Sequence, residues 1–213
     1  MITTAAVCPH PPLLLRELTG QQDGAAGLRE ACHTLLSRAL RGAEHVAVVG
    51  GAPAAPGTAR PDLAGGLPLS LRVGVRLLEQ AGWRGPVELH PVADDTPTGE
   101  CLRRGRALAA LPPPTALLVL GDGSARRGPR APGHYDERAH GFDEALVAAL
   151  REGDPDGLAA LDPGLARDLM AQGRAALQVL AGAAAAQPAP PRADVVYADD
   201  PYGVMYVVAE WRW

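Results

Sequence analysis

Residues 115–120, Thr115-Ala116-Leu117-Leu118-Val119-Leu120, run directly into Gly121-Asp122-Gly123-Ser124. The run is too short for a helix and has no polar alternation. It therefore reads as a strand covered on both faces, the pattern of a parallel sheet between helical layers. Working outward, residues 2–7 (ITTAAV) form a second buried strand, stopped by Pro9, Pro11 and Pro12. Residues 45–49 (HVAVV) form a third, ending in Gly50-Gly51. Residues 86–90 (PVELH) alternate, and Pro86 assigns them to a strand start or a sheet edge.

Helices fall between these strands. Leu28, Ala31, Cys32, Leu35, Leu36 and Leu40 recur at helical spacing within 25–41, with Gly42 as the C-terminal cap. Residues 69–81 and 98–110 read as helices, the latter ended by Pro112-Pro113-Pro114. Residues 136–151 place Phe142, Ala145, Leu146, Ala149 and Leu150 on one face. Asp154-Pro155 and Asp162-Pro163 pair an N-cap carboxylate with a proline at the first helical position, starting a short helix and a long one to about 181. The Ala- and Pro-rich stretch 181–193 reads as a surface connection. Residues 194–198 and 203–211 form a closing hairpin around Asp199-Asp200-Pro201-Tyr202-Gly203. The expected fold is a single α/β domain over 1–213: a central, mostly parallel but mixed sheet, helices on both faces and a C-terminal β-hairpin.

Composition narrows the chemistry. The 213 residues carry a net charge of −4, with 20 basic and 24 acidic side chains. No general grip on nucleic acid or an anionic membrane is expected. Every basic residue is Arg, so Schiff-base and P-loop lysines are excluded. This bias fits a GC-rich, bacterial genome. Three widely spaced cysteines, Cys8, Cys32 and Cys101, form no CxxC pair and fit a reducing cytoplasm. The opening residues MITTAAVCPHPPLLL lack a basic leader region, and no 18-residue apolar run occurs, so the expected location is cytoplasmic.

Sites in such sheets lie at the C-terminal ends of strands. Cys8-Pro9-His10, Gly50-Gly51-Ala52-Pro53 and Gly121-Asp122-Gly123-Ser124 are three such ends, and Asp199-Asp200 would join them. His10, held between prolines, reads as a turn histidine, a metal ligand or an acid/base. Asp122 reads as a turn residue, a ligand or a histidine-orienting carboxylate. Arg126 and Arg127 read as a solvated loop or as guanidinium forks for an anion. Asp94-Asp95 reads as a helix-entry loop. His134 and His140, six apart, match no metal-binding spacing.

Four segments in order resemble the class III extradiol ring-cleavage dioxygenases, the LigB-like superfamily that includes Memo-like proteins. Cys8-Pro9-His10-Pro11-Pro12-Leu13 resembles the opening strand and Pro-His-Pro-Pro segment. Residues Val46 to Pro53 resemble the second strand, which in the family ends in Pro-His-x-Pro. Gly121 to Ala125, with Pro132, Tyr135 and Phe142-Asp143-Glu144-Ala145-Leu146, resembles the Gly-Asp-x-Ser-His loop and the helix after it. Tyr197 to Tyr206 resembles the C-terminal Tyr-Glu-Gly-Pro-Phe-Gly-Val-Gly-Tyr hairpin.

In active members, two histidines and one carboxylate hold Fe(II), and a further histidine is the acid/base. Carried over, the first ligand falls on His10, the second on Gly51, the carboxylate on Asp199 with Asp200 beside it, and the acid/base on Ala125. One ligand is kept, one is shortened, and one is missing together with the acid/base.

The resemblance thus implies a protein that has lost ordinary ring cleavage, has no cofactor and serves as a binding or partner subunit. Its ligand would be a small aromatic or an anion. Asp122 and Ser124 would be pocket residues, Arg126 and Tyr202 would contact the ligand, and a homodimer is the default assembly. The alternative is an extradiol-type dioxygenase using Fe(II) or another divalent metal on re-sited ligands. These would be His10, Asp199 or Asp200, and one of His45, His90, His134 or Asp122. A third reading is a metal-free enzyme built on Cys8, His10 and Asp122.

Overall fold

The structure, a computed structural model, describes residues 1–15, 24–52, 66–111 and 114–213. Pro53 and most of the loop after it, as well as Pro112 and Pro113, lie outside the described residues. Six strands form one sheet: β1 (Ile2–Cys8), β2 (His45–Ala52), β3 (Val87–Ala93), β4 (Thr115–Leu120), β5 (Arg192–Asp199) and β6 (Tyr206–Arg212). Their order is β3-β2-β4-β1-β6-β5. The pairs β2–β3, β2–β4 and β1–β4 are parallel. β6 runs antiparallel to β1, and the β5–β6 hairpin closes the sheet. The mixed α/β sheet with a C-terminal hairpin is the architecture expected from the sequence.

The run at 115–120 is apolar throughout because both of its faces are covered. Ala116, Leu118 and Leu120 pack in one core with Leu28, Cys32, Leu35 and Leu36 of α1 (Ala26–Ala39) and Leu71, Leu77 and Leu78 of α2 (Leu69–Gln80). Leu117 and Val119 pack in the other, beneath α3 (Thr98–Ala109), α4 (Arg138–Glu152), α5 (Pro155–Ala159), α6 (Pro163–Asp168) and α7 (Arg174–Ala184). Alternate residues of one strand thus serve two helical layers. No helix among the described residues is long and apolar enough to cross a membrane.

Both aspartate–proline starts form as their chemistry dictates. Asp154 accepts from the backbone N–H of Asp156, and Asp162 from that of Leu165. Gly153 closes α4 in the left-handed region at φ 68°, where a side chain would be strained.

Four expectations need correction. β3 continues through Pro91 to Ala93, because it is an edge strand bonded only to β2 and a missing N–H on its outer side costs nothing. The long helix expected from 163 to 181 is broken: α6 ends at Asp168, Met170 adopts φ 57°, and α7 restarts after Gly173. The break lets Gly173 lie directly on the end of β4, where a Cβ would meet the Asp122 carbonyl at 2.7 Å. The alanine-rich segment from 181 is not a surface connection at its start. Ala181, Ala183 and Ala184 are buried, and Gly182 crosses α3 so closely that a Cβ would stand 2.2 Å from the Leu102 carbonyl.

The strands of the hairpin also start and stop elsewhere than expected, at 192–199 and 206–212. Residues 203–205 leave the ladder to pair with the loop after β4. Gly123 N–H donates to the Met205 carbonyl at 2.8 Å, and Met205 N–H to the Ser124 carbonyl at 2.9 Å.

Candidate functional site

The ends of β1, β2, β3 and β4 lie along one edge of the sheet, because these four strands are parallel. β5 runs in the same direction as β1, since each is antiparallel to β6, so its end at Asp199 reaches that edge too. The insertion of β4 between β1 and β2 makes this edge the crevice expected of such a fold.

His10 and Asp122 meet there. Gly121 N–H donates to the Cys8 carbonyl at 3.0 Å, extending the β1–β4 ladder by one residue. One residue further, the Asp122 carboxylate accepts the His10 backbone N–H at 2.9 Å. The prolines on either side of His10 restrict its backbone, so this bond fixes where the imidazole begins. His10 is 6% exposed, and its Nδ1 stands 3.6 Å from Asp122 Oδ1, too far for a hydrogen bond. Burial raises the Asp122 carboxyl above its ordinary range, and His10 pulls it back.

The third member, Asp94, is one the sequence reading placed in a helix-entry loop. It follows β3, and its backbone N–H donates to the Ala52 carbonyl at 3.1 Å. Its carboxylate folds over Gly51: a Cβ at that glycine would lie 2.7 Å from Asp94 Oδ1. Desolvation pushes the carboxyl up to about 6, opposed by His10 and Arg174. As a whole residue Asp94 is exposed, so the crevice opens to water on this side.

Arg174, buried at the start of α7, underpins this corner. Its guanidinium donates to the Asp94 carbonyl, to the Thr96 carbonyl at 2.6 Å and to Gln178 Oε1 at 3.1 Å. Gln178 in turn donates to the Ala159 and Leu161 carbonyls, each at 3.0 Å. Tyr206 is buried, and burial, then the charge of the Asp122 carboxylate, drives its phenol far upward. A strand reading carried past Pro91 would have brought Asp94 to the same edge. Nothing in the local sequence marks Arg174.

The other expected residues are placed as follows. Ser124 is fully buried, donating to Asp143 from its N–H at 2.8 Å and from its hydroxyl at 2.5 Å. Arg127 bridges Asp143 at 3.1 Å and Asp200 across the hairpin. Burial nevertheless holds the Asp143 carboxyl above its usual range. Ala125 is buried, with its N–H on the Leu169 carbonyl at 2.9 Å. Arg126 donates to the His134 carbonyl at 3.5 Å, while its buried Nε forms no hydrogen bond among the described residues. Asp199 is exposed and accepts the Asp200 N–H at 2.8 Å; β6 separates its strand from His10, two strand spacings or roughly 10 Å. Tyr202 is 40% exposed and lies against Gly24.

His45 sits at the opposite edge, at the start of β2. His90 lies in mid-β3, 3.4 Å from Glu88. His134 is exposed. Cys8 is fully buried, and the hydrogen-bonded Cys32 thiol, then burial, pushes its thiol well up, the opposite of an activated nucleophile. Among the described residues, no group of three or more His, Cys, Asp or Glu side chains is arranged to hold a metal ion.

No family model matches this sequence, and no curated protein matches it. Among solved structures, the chain is similar to an uncharacterized protein from Escherichia coli K12, at 15% identity with a TM-score of 0.55. The match covers 99% of this chain and 100% of that one. At this identity the likeness shows the fold alone.

Proposed function

We propose that this chain is a LigB-like protein that carries no ring-cleaving Fe(II) centre and acts as a binding or partner subunit through the crevice around His10. The observation that carries the reading is the Asp94 carboxylate over Gly51, 2.7 Å from where a side chain would begin. An imidazole at 51 would have to displace it. The residues present do not fit ferrous iron held by two histidines and one carboxylate. Among the described residues no second imidazole joins His10 in a group that could hold a metal ion, and Asp199 is exposed and accepts the Asp200 N–H. The acid/base position is the methyl group of Ala125, and loss of such a group forfeits about 10²–10⁴ in rate.

What remains is a polar corner of His10, Asp94 and Asp122 at the strand ends. It is a recognition surface, with donors and acceptors but no assembled redox centre. The rival reading, a divalent-metal enzyme with re-sited ligands, would draw on His10, Asp122 and Asp94. Anaerobic Fe(II) titration, followed by oxygen-uptake assays on catechol and protocatechuate, separates the two. The binding-subunit reading expects no stoichiometric iron and no ring-opened product. Stoichiometric iron lost on His10→Ala would replace it with the rival.

A further inference from the structure

We propose that β3 pairs antiparallel with β3 of a second copy of this chain, about a two-fold axis at Leu89, joining the two sheets edge to edge. β3 is an outer strand, bonded only to β2. Its ladder fixes which backbone groups face outward. Val46 N–H donates to the Pro86 carbonyl and Asp94 N–H to the Ala52 carbonyl, each at 3.1 Å, so the even-numbered residues of β3 bond β2. Val87, Leu89 and Pro91 therefore turn their backbone groups away from the sheet. Among the described residues, only Arg104 reaches one of these groups, donating to the Pro91 carbonyl at 3.4 Å.

An edge of this kind accepts a further strand unless something blunts it. At the opposite edge of the sheet, a break in register between Val195 and Tyr197 does so. β3 instead keeps unbroken register from Val87 to Ala93. Its one obstruction is Pro91, which lacks an outward donor.

That proline and the side chains select the register. A two-fold axis must pass beside one residue of β3, which then faces its own copy. Centring on Pro91 would oppose two positions without donors, and centring on Glu88 or His90 would oppose like side chains. Centring on Leu89 lets the two Leu89 residues exchange two hydrogen bonds, and each Val87 N–H reaches the partner's Pro91 carbonyl. The Val87 carbonyls are left at the ends of the ladder, where water can bond them.

The same register is complementary on both faces. Glu88 and His90 lie opposite Ala47 and Val49 of β2 and so share a face. Their side chains are 49% and 26% exposed, 3.4 Å from each other. Across the axis each Glu88 faces the partner's His90, giving two acid–imidazole pairs. On the other face Val87, 40% exposed, meets the partner's exposed Pro91, and Leu89 meets Leu89. Such cross-strand pairs are what stabilise a sheet.

A seven-residue strand pair is a small interface, so the dimer belongs with the weak ones, with Kd about 10–100 μM. The test is sedimentation velocity of the full chain from about 1 to 500 μM, which brackets that range. The expected result is a reversible monomer–dimer equilibrium. Glu88→Arg and His90→Glu each oppose like charges twice per dimer, and each should weaken it about tenfold. An equimolar mixture of the two variants should recover the parental affinity, because every cross-strand pair again sets an acid against a base. Val196→Glu, at an exposed position on β5, should leave the equilibrium unchanged. Thermal melts establish that each variant folds. A chain still monomeric at about 500 μM, dimerisation indifferent to both single variants, a mixture no tighter than either variant alone, or dimerisation lost in Val196→Glu would each overturn the proposal.

Discussion

α3 and α7 cross backbone to backbone at Gly105, and Gly105→Ala tests that crossing. At Gly105 a Cβ would stand 2.0 Å from the Val179 carbonyl oxygen, 2.6 Å from the Ala183 nitrogen and 2.8 Å from the Gly182 carbonyl carbon. Ordinary contact begins near 3.4 Å, so the helices must part by about 1.4 Å, and every obstructing atom is backbone. Overpacking of this kind costs about 1–3 kcal/mol, and unyielding backbone places it at the upper end. Alanine in a helix interior returns about 1 kcal/mol of propensity. The net expectation is a loss of about 2 kcal/mol, or about 4–8 °C in Tm for a chain of this size.

Gly141→Ala on α4 is the control. Nothing lies within 4 Å of its added carbon, so the propensity gain stands alone and Tm rises slightly. Urea denaturation and calorimetry of both variants read the difference. A Gly105→Ala protein as stable as the parent would refute the close crossing.

Other consequences follow from the buried charges and thiols. Arg127→Gln leaves the Asp143 carboxylate buried with only its Ser124 bonds, a loss of about 3 kcal/mol at neutral pH by urea denaturation. Because the folded-state Asp143 carboxyl already titrates above its unfolded value, the folded form holds its proton more tightly. The deficit should therefore shrink as pH falls, and one that stays constant down to the onset of acid unfolding would contradict this. Asp94, titrating at about 6 in the folded chain against 3.8 for the free group, penalises folding fully above pH 6 and not at all below about 3.8. Asp94→Asn should thus raise stability modestly at pH 7.5 and lose that advantage between pH 6 and 4, as read by Tm across pH. Cys8, Cys32 and Cys101 are all buried free thiols. They should react with a disulfide reagent such as Ellman's only at the rate of unfolding, and fast labelling of Cys8 in the native protein would revive a nucleophilic role for it.

The layered sheet was legible because burial on two faces writes itself as uninterrupted apolar runs, at 115–120 above all. The caps at Asp154 and Asp162 were legible because aspartate before proline satisfies helix N–H groups by short-range chemistry. The break at Met170 was not, since it answers to Gly121 and Asp122 some fifty residues away. For the same reason the small residues from 181 read as a surface connection, because the helix they pack against, α3, is distant in sequence.

At the site, His10 and Asp122 could be marked because each follows a clear strand. Asp94 was hidden by Pro91, which shortened the expected strand, although at a sheet edge proline need not end one. By resemblance Gly51 stands at a missing ligand position. Its second consequence, room for a carboxylate from the neighbouring strand, depends on strand order, which no local pattern reveals.

The most direct test of the central claim is the iron content of the full chain after anaerobic loading with excess Fe(II) and gel filtration. Iron well below one equivalent, unchanged in His10→Ala, is the predicted result. One equivalent of iron, lost in His10→Ala and in Asp94→Asn, would show that the crevice is a metal centre after all.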